Sequence, residues 1–145
     1  MEDHPPLQKP TNVLYAEWAL WIWTAWTCLF GIGQSWLQIP EIETAMTDQL
    51  QGIFTVPPRT LLAAIIGCYG VLALASAWVV WKIGIGKNWA RKSLLWGFVL
   101  EVLWIAVPPY SLSGFLSDIP DFGLQGYALY LLYTAPGKGW FARKP

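Results

Sequence analysis

The chain has 145 residues, of which 55% are hydrophobic and only 12% are charged, and its formal net charge at pH 7 is zero. So few basic residues, with no excess over the acidic ones, exclude a nucleic-acid-binding protein. The apolar residues occur in blocks of about twenty, the length of helix that crosses about 30 Å of hydrocarbon. The sequence therefore predicts an integral membrane protein whose main partner is the lipid bilayer.

We predict four membrane-spanning helices, at residues 13–39, 60–81, 89–107 and, in a shorter run, 120–135. They form a single transmembrane domain, residues 1–145, whose fold is an all-α four-helix bundle. The segment before the first span is acidic rather than basic, and the apolar run behind it is longer than a signal-peptide core. We therefore expect the first span to be retained.

The basic residues are distributed unevenly between the two sides of the membrane. If the spans alternate in direction, all but one of the nine basic residues share a side: Lys9, Lys82, Lys87, Arg91, Lys92, Lys138, Arg143 and Lys144. The exception is Arg59. The positive-inside rule makes the shared side cytoplasmic. Both termini are thus expected in the cytoplasm, and Lys82, Lys87, Arg91 and Lys92 form a cytoplasmic basic turn.

Tryptophans mark the expected membrane interfaces. Trp18 and Trp36 lie about 27 Å apart along a helix, close to one hydrocarbon thickness. By the same rule, Trp81, Trp89 and Trp140 are expected to anchor the cytoplasmic interface.

Two stripes of side chains run along the first span, on different faces of the predicted helix. The apolar stripe is expected to face lipid and consists of Ile22, Ala25, Leu29 and Ile32. The other stripe is smaller and more polar, which suits contact with a neighbouring helix: Glu17, Trp21, Thr24, Cys28, Gly31 and Ser35. Glu17 adjoins Trp18, near the inner headgroups, where Lys9 or a cation of the basic turn could reach it.

The two outer loops differ in pattern. In residues 40–58, Ile42, Met46, Leu50 and Ile53 recur at helical spacing, which predicts a short amphipathic helix over residues 41–54, lying on the outer surface. Residues 108–119 contain prolines, serines and a glycine, and we expect this loop to be irregular.

Two short motifs resemble those of a bacterial protein group. Residues 86–91 read G-K-N-W-A-R, similar to a G-R/K-x-W-A-R turn of small uncharacterised four-helix inner-membrane proteins. The last span of those proteins often ends with a P-x-x-x-W-F motif, as residues 136–141 do here. The resemblance implies an inner-membrane location but no activity. The turn also has a physical explanation, since Gly84 and Gly86 turn the chain, the cations meet anionic headgroups and Trp89 anchors the interface.

A polar layer is predicted near the middle of the membrane. Counting inward from the cytoplasmic tryptophans at 1.5 Å per residue puts Glu101, Tyr69, Cys68 and Cys28 about 15 to 20 Å from the inner interface. Gln125 and Tyr127 of the fourth span lie close to the same level. Glu101 is the only acidic residue of the third span, and an ionisable group at this depth is a candidate functional site.

Two interpretations of this layer remain open. Glu101 could be a proton-coupled or cation-binding group, or it could be a neutral acid that holds the bundle together through a hydrogen bond to Tyr69, Tyr127 or Gln125. The cysteines form no C-x-x-C pair and are interpreted as packing residues. A disulfide between Cys28 and Cys68 is conceivable only if the first two spans touch there.

No catalytic motif is visible in the chain. The single histidine, His4, lies in the N-terminal tail, which excludes a bis-histidine haem, a histidine-based zinc site and a catalytic triad inside the bundle. No metal or other cofactor is expected. We predict a non-catalytic binding, accessory or assembly protein that associates with another membrane protein or with a second copy of itself. The alternative is a small proton-coupled exporter of lipophilic cations that uses Glu101.

Overall fold

The computed structural model describes residues 8–49, 57–105 and 112–142. Within these ranges the chain forms five α-helices and no strand: α1 (Thr11–Gln49), α2 (Pro58–Gly84), α3 (Asn88–Ile105), α4 (Leu112–Tyr133) and α5 (Ala135–Ala142). The predicted all-α class is confirmed. The chain divides into two compact units: the first comprises Met1–Trp23 and Ala77–Pro145, and the second comprises Thr24–Ser76.

One of the described helices is long and apolar enough to cross a membrane, by length and composition. It is α2, in which the qualifying stretch Arg59–Gly84 has 26 residues. Only 6% of its most apolar window is buried. The other described helices do not meet the same criterion, and α3 contains three charged residues within its 18 residues: Arg91, Lys92 and Glu101.

The hydrophobic core lies in the first unit. Among the described residues, every buried hydrophobic side chain belongs to this unit, and the largest fully buried ones are Leu20, Ile83, Leu132 and Val13. These residues come from α1, α2 and α4, and Phe141 of α5 joins the same cluster. The core therefore gathers around the end of the fold that holds the α2–α3 turn.

The stripes predicted for the first span have different surroundings in α1. On the apolar stripe Ile22, Ala25 and Leu29 are exposed, and Ile32 is half-buried. On the other stripe Thr24 is buried, while Glu17, Cys28, Gly31 and Ser35 are half-buried. Trp21 departs from the prediction, since it is exposed.

The prediction that a separate surface helix begins after Pro40 is wrong, because no new helix begins there. Residues 41–49 are helical, but they continue α1 without a break through Pro40, and residues 50–54 lie outside the described ranges. A proline removes one backbone hydrogen bond and strains the preceding turn, yet it does not oblige a helix to end. The Thr44 hydroxyl donates to the Pro40 carbonyl at 2.8 Å in this continuation.

The prediction of an irregular second outer loop is also wrong for its latter part. α4 begins at Leu112, well before residue 120, and passes through Pro120. The sequence carries a helical signal here that the serines, glycine and prolines obscure: Leu112, Phe115, Leu116 and Ile119 are spaced as one face of a helix. Residues 108–111 lie outside the described ranges.

The short helix α5 was not expected. Pro136, interpreted as the end of the last span, lies in the first turn of α5, where a missing N–H costs nothing. Between α4 and α5 the Thr134 N–H donates to the Tyr130 carbonyl at 3.0 Å. The Thr134 hydroxyl donates to the Leu131 carbonyl at 3.0 Å. These bonds fix the corner at which the chain leaves α4.

Candidate functional site

The turn between α2 and α3 depends on a glycine in the left-handed region. Gly86 has a φ of 78°, a conformation that strains residues with a Cβ atom. Its N–H donates to the Ile83 carbonyl at 2.9 Å, and the Lys87 N–H donates to the Lys82 carbonyl at 2.9 Å. This bond pair is the Schellman arrangement that closes a helix. The predicted turning role of Gly86 is confirmed.

The two sequence motifs meet in the first unit. A Cβ atom on Gly86 would lie 3.1 Å from Nε1 of Trp140, so the turn packs directly against α5. Arg91 lies with its guanidinium 4.3 Å from the ring centroid of Tyr133 and 4.8 Å from that of Phe141. The G-K-N-W-A-R turn and the P-x-x-x-W-F segment therefore form one contact region, which we call the motif junction.

Arg91 is held by hydrogen bonds as well as by stacking. One terminal nitrogen donates to the Asn88 side-chain oxygen at 2.8 Å, and the other donates to the Leu132 carbonyl at 3.3 Å. In a continuous helix the Leu132 carbonyl would accept from the nitrogen of residue 136, but that residue is Pro136 and has no N–H. Arg91 thus supplies the donor that the backbone lacks, and it faces the protein instead of serving only as a headgroup contact.

The other cations of the basic turn are arranged differently. Lys82 lies with its ammonium 4.1 Å from the centroid of the Trp81 ring, within the range of a cation–π interaction. Lys87 and Lys92 are exposed. Two of the four cations are therefore exposed to the surroundings, while Arg91 is held in the motif junction.

The predicted interface anchors fall into two groups. Trp18, Trp36, Trp81 and Trp89 are all exposed, as an anchor in contact with lipid would be. Trp140 is half-buried and packs against the hydrophobic core.

Glu17 has the partner that its position suggested. The Lys9 ammonium lies 2.8 Å from Oε1 and 2.9 Å from Oε2 of the Glu17 carboxylate. Oε1 also lies against Gly84, where a Cβ atom would overlap it. The pair fastens the segment before α1 to the end of α2.

Glu101 is hydrogen-bonded to one of its three predicted partners. The Gln125 side-chain nitrogen donates to Oε2 of Glu101 at 2.5 Å, joining α3 to α4. Gln125 is almost fully buried, with 2% of its surface exposed, and Glu101 is half-buried. Tyr127 is exposed. Of the three partners that the sequence left open for Glu101, the structure brings Gln125 into hydrogen-bond contact.

The Glu101–Gln125 pair lies close, along α3 and α4, to a pair of phenylalanines and to a buried aspartate. Phe98 and Phe122, three residues before Glu101 and Gln125 respectively, pack edge to face with ring centroids 5.9 Å apart. Asp121, one turn before Gln125, is buried. Two carboxyl groups, those of Glu101 and Asp121, thus lie within one helical turn of the Phe98–Phe122 pair along α3 and α4.

The remaining members of the predicted polar layer belong to the second unit. The Cys28 thiol lies 3.8 Å from the Tyr69 carbonyl oxygen, and a Cβ atom on Gly31 would overlap the Tyr69 ring. α1 and α2 therefore touch closely at this point. Cys28 and Cys68 are both free thiols, and Cys68 is exposed.

The sequence places Asn88 and Pro136 within the two motifs, but it did not predict that Asn88 and Tyr133 contact Arg91 or that Pro136 leaves the Leu132 carbonyl to Arg91. One sequence signal favours their contact: the charge distribution predicts that both motifs lie on the same side of the membrane. Among the described residues, no group of three or more His, Cys, Asp or Glu side chains could hold a metal ion.

Comparison with known proteins found no family model, no curated protein and no solved structure that matches this chain.

Proposed function

We propose that this chain is a four-helix inner-membrane protein with both termini in the cytoplasm, and that it acts as a non-catalytic binding, accessory or assembly protein. The observation that carries the proposal is the apolar exterior of the four long helices. Leu29 and Leu74 are each 74% exposed, Leu100 is 64% exposed and Tyr130 is 66% exposed. A soluble monomer rarely exposes large apolar side chains along every helix, whereas lipid covers them at no cost.

The surroundings of α2 support the same conclusion. The core helix of a soluble protein is mostly buried, but the most apolar window of α2 is only 6% buried. A signal sequence would lie near the N-terminus, whereas α2 begins at Pro58. Both common alternatives to a membrane span therefore fit α2 poorly.

The polar groups inside the first unit support a structural role. Arg91 bonds to Asn88 and the Leu132 carbonyl, and Glu101 accepts from Gln125. Each bond joins helices or closes a turn, so these side chains are used to hold the helices together. A protein built in this way offers its outer surface, and not a reactive interior, to its partners.

Membrane extraction and cysteine labelling test the proposal. Alkaline carbonate should leave the protein in the membrane pellet, since removing the spans from lipid is too costly. With Cys28 and Cys68 replaced by alanine, a membrane-impermeant maleimide should label Glu43→Cys and Asp118→Cys in intact cells. Lys87→Cys and Lys144→Cys should react only after permeabilisation. Labelling of Lys87→Cys in intact cells would refute the topology, and release by carbonate would refute membrane integration.

One observation favours a second function, a small proton-coupled exporter of lipophilic cations. Glu101 is a carboxyl beside the Phe98–Phe122 pair, and the aromatic faces and the acid together suit an apolar cation. Glu101→Gln cannot release a proton, so it should abolish cation-driven proton release from loaded vesicles while the protein stays folded. Unchanged proton release in Glu101→Gln, or none in the parent protein, would remove this alternative.

A further inference from the structure

A cavity of about 310 Å³ lies in the second unit, between the later part of α1 and the start of α2. Its lining residues are Trp36, Ile39, Pro40, Arg59 and Leu62. On α1, Ile39 and Pro40 lie three and four positions after Trp36. On α2, Leu62 lies three positions after Arg59, so each helix contributes one face. The cavity is thus formed by two regular helix surfaces that the sequence places opposite each other.

The chemistry of the lining is that of an amphiphile site. Four of the side chains are apolar or aromatic, and the fifth is the guanidinium of Arg59, whose planar set of donors matches the geometry of a phosphate. Arg59 and Trp36 are both exposed, so a ligand could reach the cation and the indole ring from outside. Arg59 also lies in the first turn of α2, where the helix dipole adds to the attraction for an anion.

Size and charge restrict the occupant. A volume of about 310 Å³ is at the lower end of the range of about 300 to 1,000 Å³ for small-molecule pockets, so it cannot enclose a peptide helix. The Arg59 charge repels a cation, so this is not the site of the exporter considered above. A ligand with a compact anionic head and an apolar remainder satisfies both restrictions.

We propose that this cavity binds the headgroup region of an anionic phospholipid, with its phosphate against Arg59 and its glycerol and first methylene groups against Trp36, Ile39 and Leu62. The inference rests on the proposed function, because it needs the part of α1 around Trp36 to lie at the outer membrane interface. It goes further by naming a ligand class, and it gives a use to the one basic residue that the topology puts outside.

Native mass spectrometry of the full chain in a neutral detergent tests the proposal. Phosphatidylglycerol and phosphatidylcholine with identical acyl chains are titrated separately. A cation near a membrane surface contributes about 1 kcal/mol, which corresponds to an affinity ratio of about fivefold in favour of phosphatidylglycerol. Arg59→Gln should reduce this ratio to about one, while Arg59→Lys should retain part of it. In a Lys92→Gln background, which lacks one exposed cation of the basic turn, Arg59→Gln should still reduce the ratio by the same factor.

A second variant tests the cavity itself. Leu62→Trp fills the apolar wall and should weaken both lipids together, with the helical content by circular dichroism as the check on folding. Equal affinity of the parent protein for the two lipids would overturn the inference, and so would an unchanged ratio in Arg59→Gln. Displacement of the lipid by excess inorganic phosphate would also overturn it, since the site would then recognise the free anion.

The failure of this inference is distinguishable from failure of the proposed function. A chain released from membranes by carbonate would refute the membrane proposal on which the lipid site rests. A chain that stays in the membrane pellet with the expected labelling pattern, but shows no preference for phosphatidylglycerol, would refute the lipid site alone.

Discussion

Arg91 donates to the carbonyl of Leu132 at 3.3 Å, where the backbone of α4 would require an N–H from the residue that is Pro136. The arginine of one motif therefore compensates for the proline of the other. This complementarity explains why a turn between α2 and α3 and a segment after α4 carry distinctive residues in the same chain. It also predicts that the guanidinium is needed, and not its charge alone.

The first prediction concerns this guanidinium. Arg91→Lys keeps the positive charge but loses the planar stacking on Tyr133 and Phe141, and we expect a loss of about 1 to 2 kcal/mol in unfolding free energy. Arg91→Ala should cost roughly 2 to 4 kcal/mol. Denaturant unfolding in detergent micelles measures both. The matched control is Lys92→Ala, an exposed neighbouring cation, which should change stability by less than about 0.5 kcal/mol. If Arg91→Lys had the same unfolding free energy as the parent protein, the positive charge alone would be enough at this position. The proposed need for a guanidinium would then be wrong.

The second prediction uses two glycines in different conformations. Gly86→Ala forces a Cβ atom into the left-handed region beside Trp140, and should destabilise the protein by about 1 to 2 kcal/mol. Gly97→Ala adds a methyl group inside α3, where nothing lies within 4 Å, and should stabilise it by up to about 1 kcal/mol. Thermal unfolding should therefore shift in opposite directions. A shift in the same direction for both variants would contradict the description of the turn.

The third prediction concerns the Glu101–Gln125 pair. Glu101→Gln keeps the hydrogen-bonding capacity and should leave stability almost unchanged, whereas Glu101→Leu leaves a buried amide without its partner and should cost about 1 to 3 kcal/mol. The double variant Glu101→Leu, Gln125→Leu should recover most of this loss, because two apolar side chains replace two polar ones. The free energies of unfolding of Glu101→Leu, Gln125→Leu and the double variant are compared. If the loss in the double variant equals the sum of the two single losses, the pair is not coupled in the folded protein.

The fourth prediction concerns the second unit. Gly31→Leu would drive a side chain into the Tyr69 ring and should cost about 1 to 3 kcal/mol through overpacking. Gly33→Leu, two residues further along α1 and in open space, is the matched control and should be close to neutral. Combining Gly31→Leu with Tyr69→Ala should recover part of the loss. An equal effect of the two glycine variants in unfolding experiments would argue against close contact between α1 and α2 there.

Patterns that repeat along a helix were predictable from the sequence. The apolar stripe of α1 follows from the 3.6 residues of each helical turn. The fixed rise per residue put Gln125 among three candidate partners of Glu101, but it did not select Gln125 from them. Gly86 was identifiable because turns that need a positive φ select glycine.

Features that depend on a proline or on contact between distant segments were not predictable in this way. Pro40 and Pro120 lie within helices and Pro136 lies at the start of one, although a proline reads as a boundary in isolation. Whether a helix continues through proline depends on the packing of the flanking turns, which local composition does not contain. The Arg91–Leu132 bond joins residues that are far apart in sequence, and only the fold brings them together.

The continuation of α1 through Pro40 has a mechanical consequence. If Trp36 marks the outer edge of the membrane, the helix from there to Gln49 rises roughly 20 Å beyond it. A flexible loop of the same composition would collapse onto the headgroups, whereas a helix is stiff and keeps its length. Because the rise per residue is fixed, shortening or lengthening this segment by whole turns would move the end of the helix in steps of about 5.4 Å.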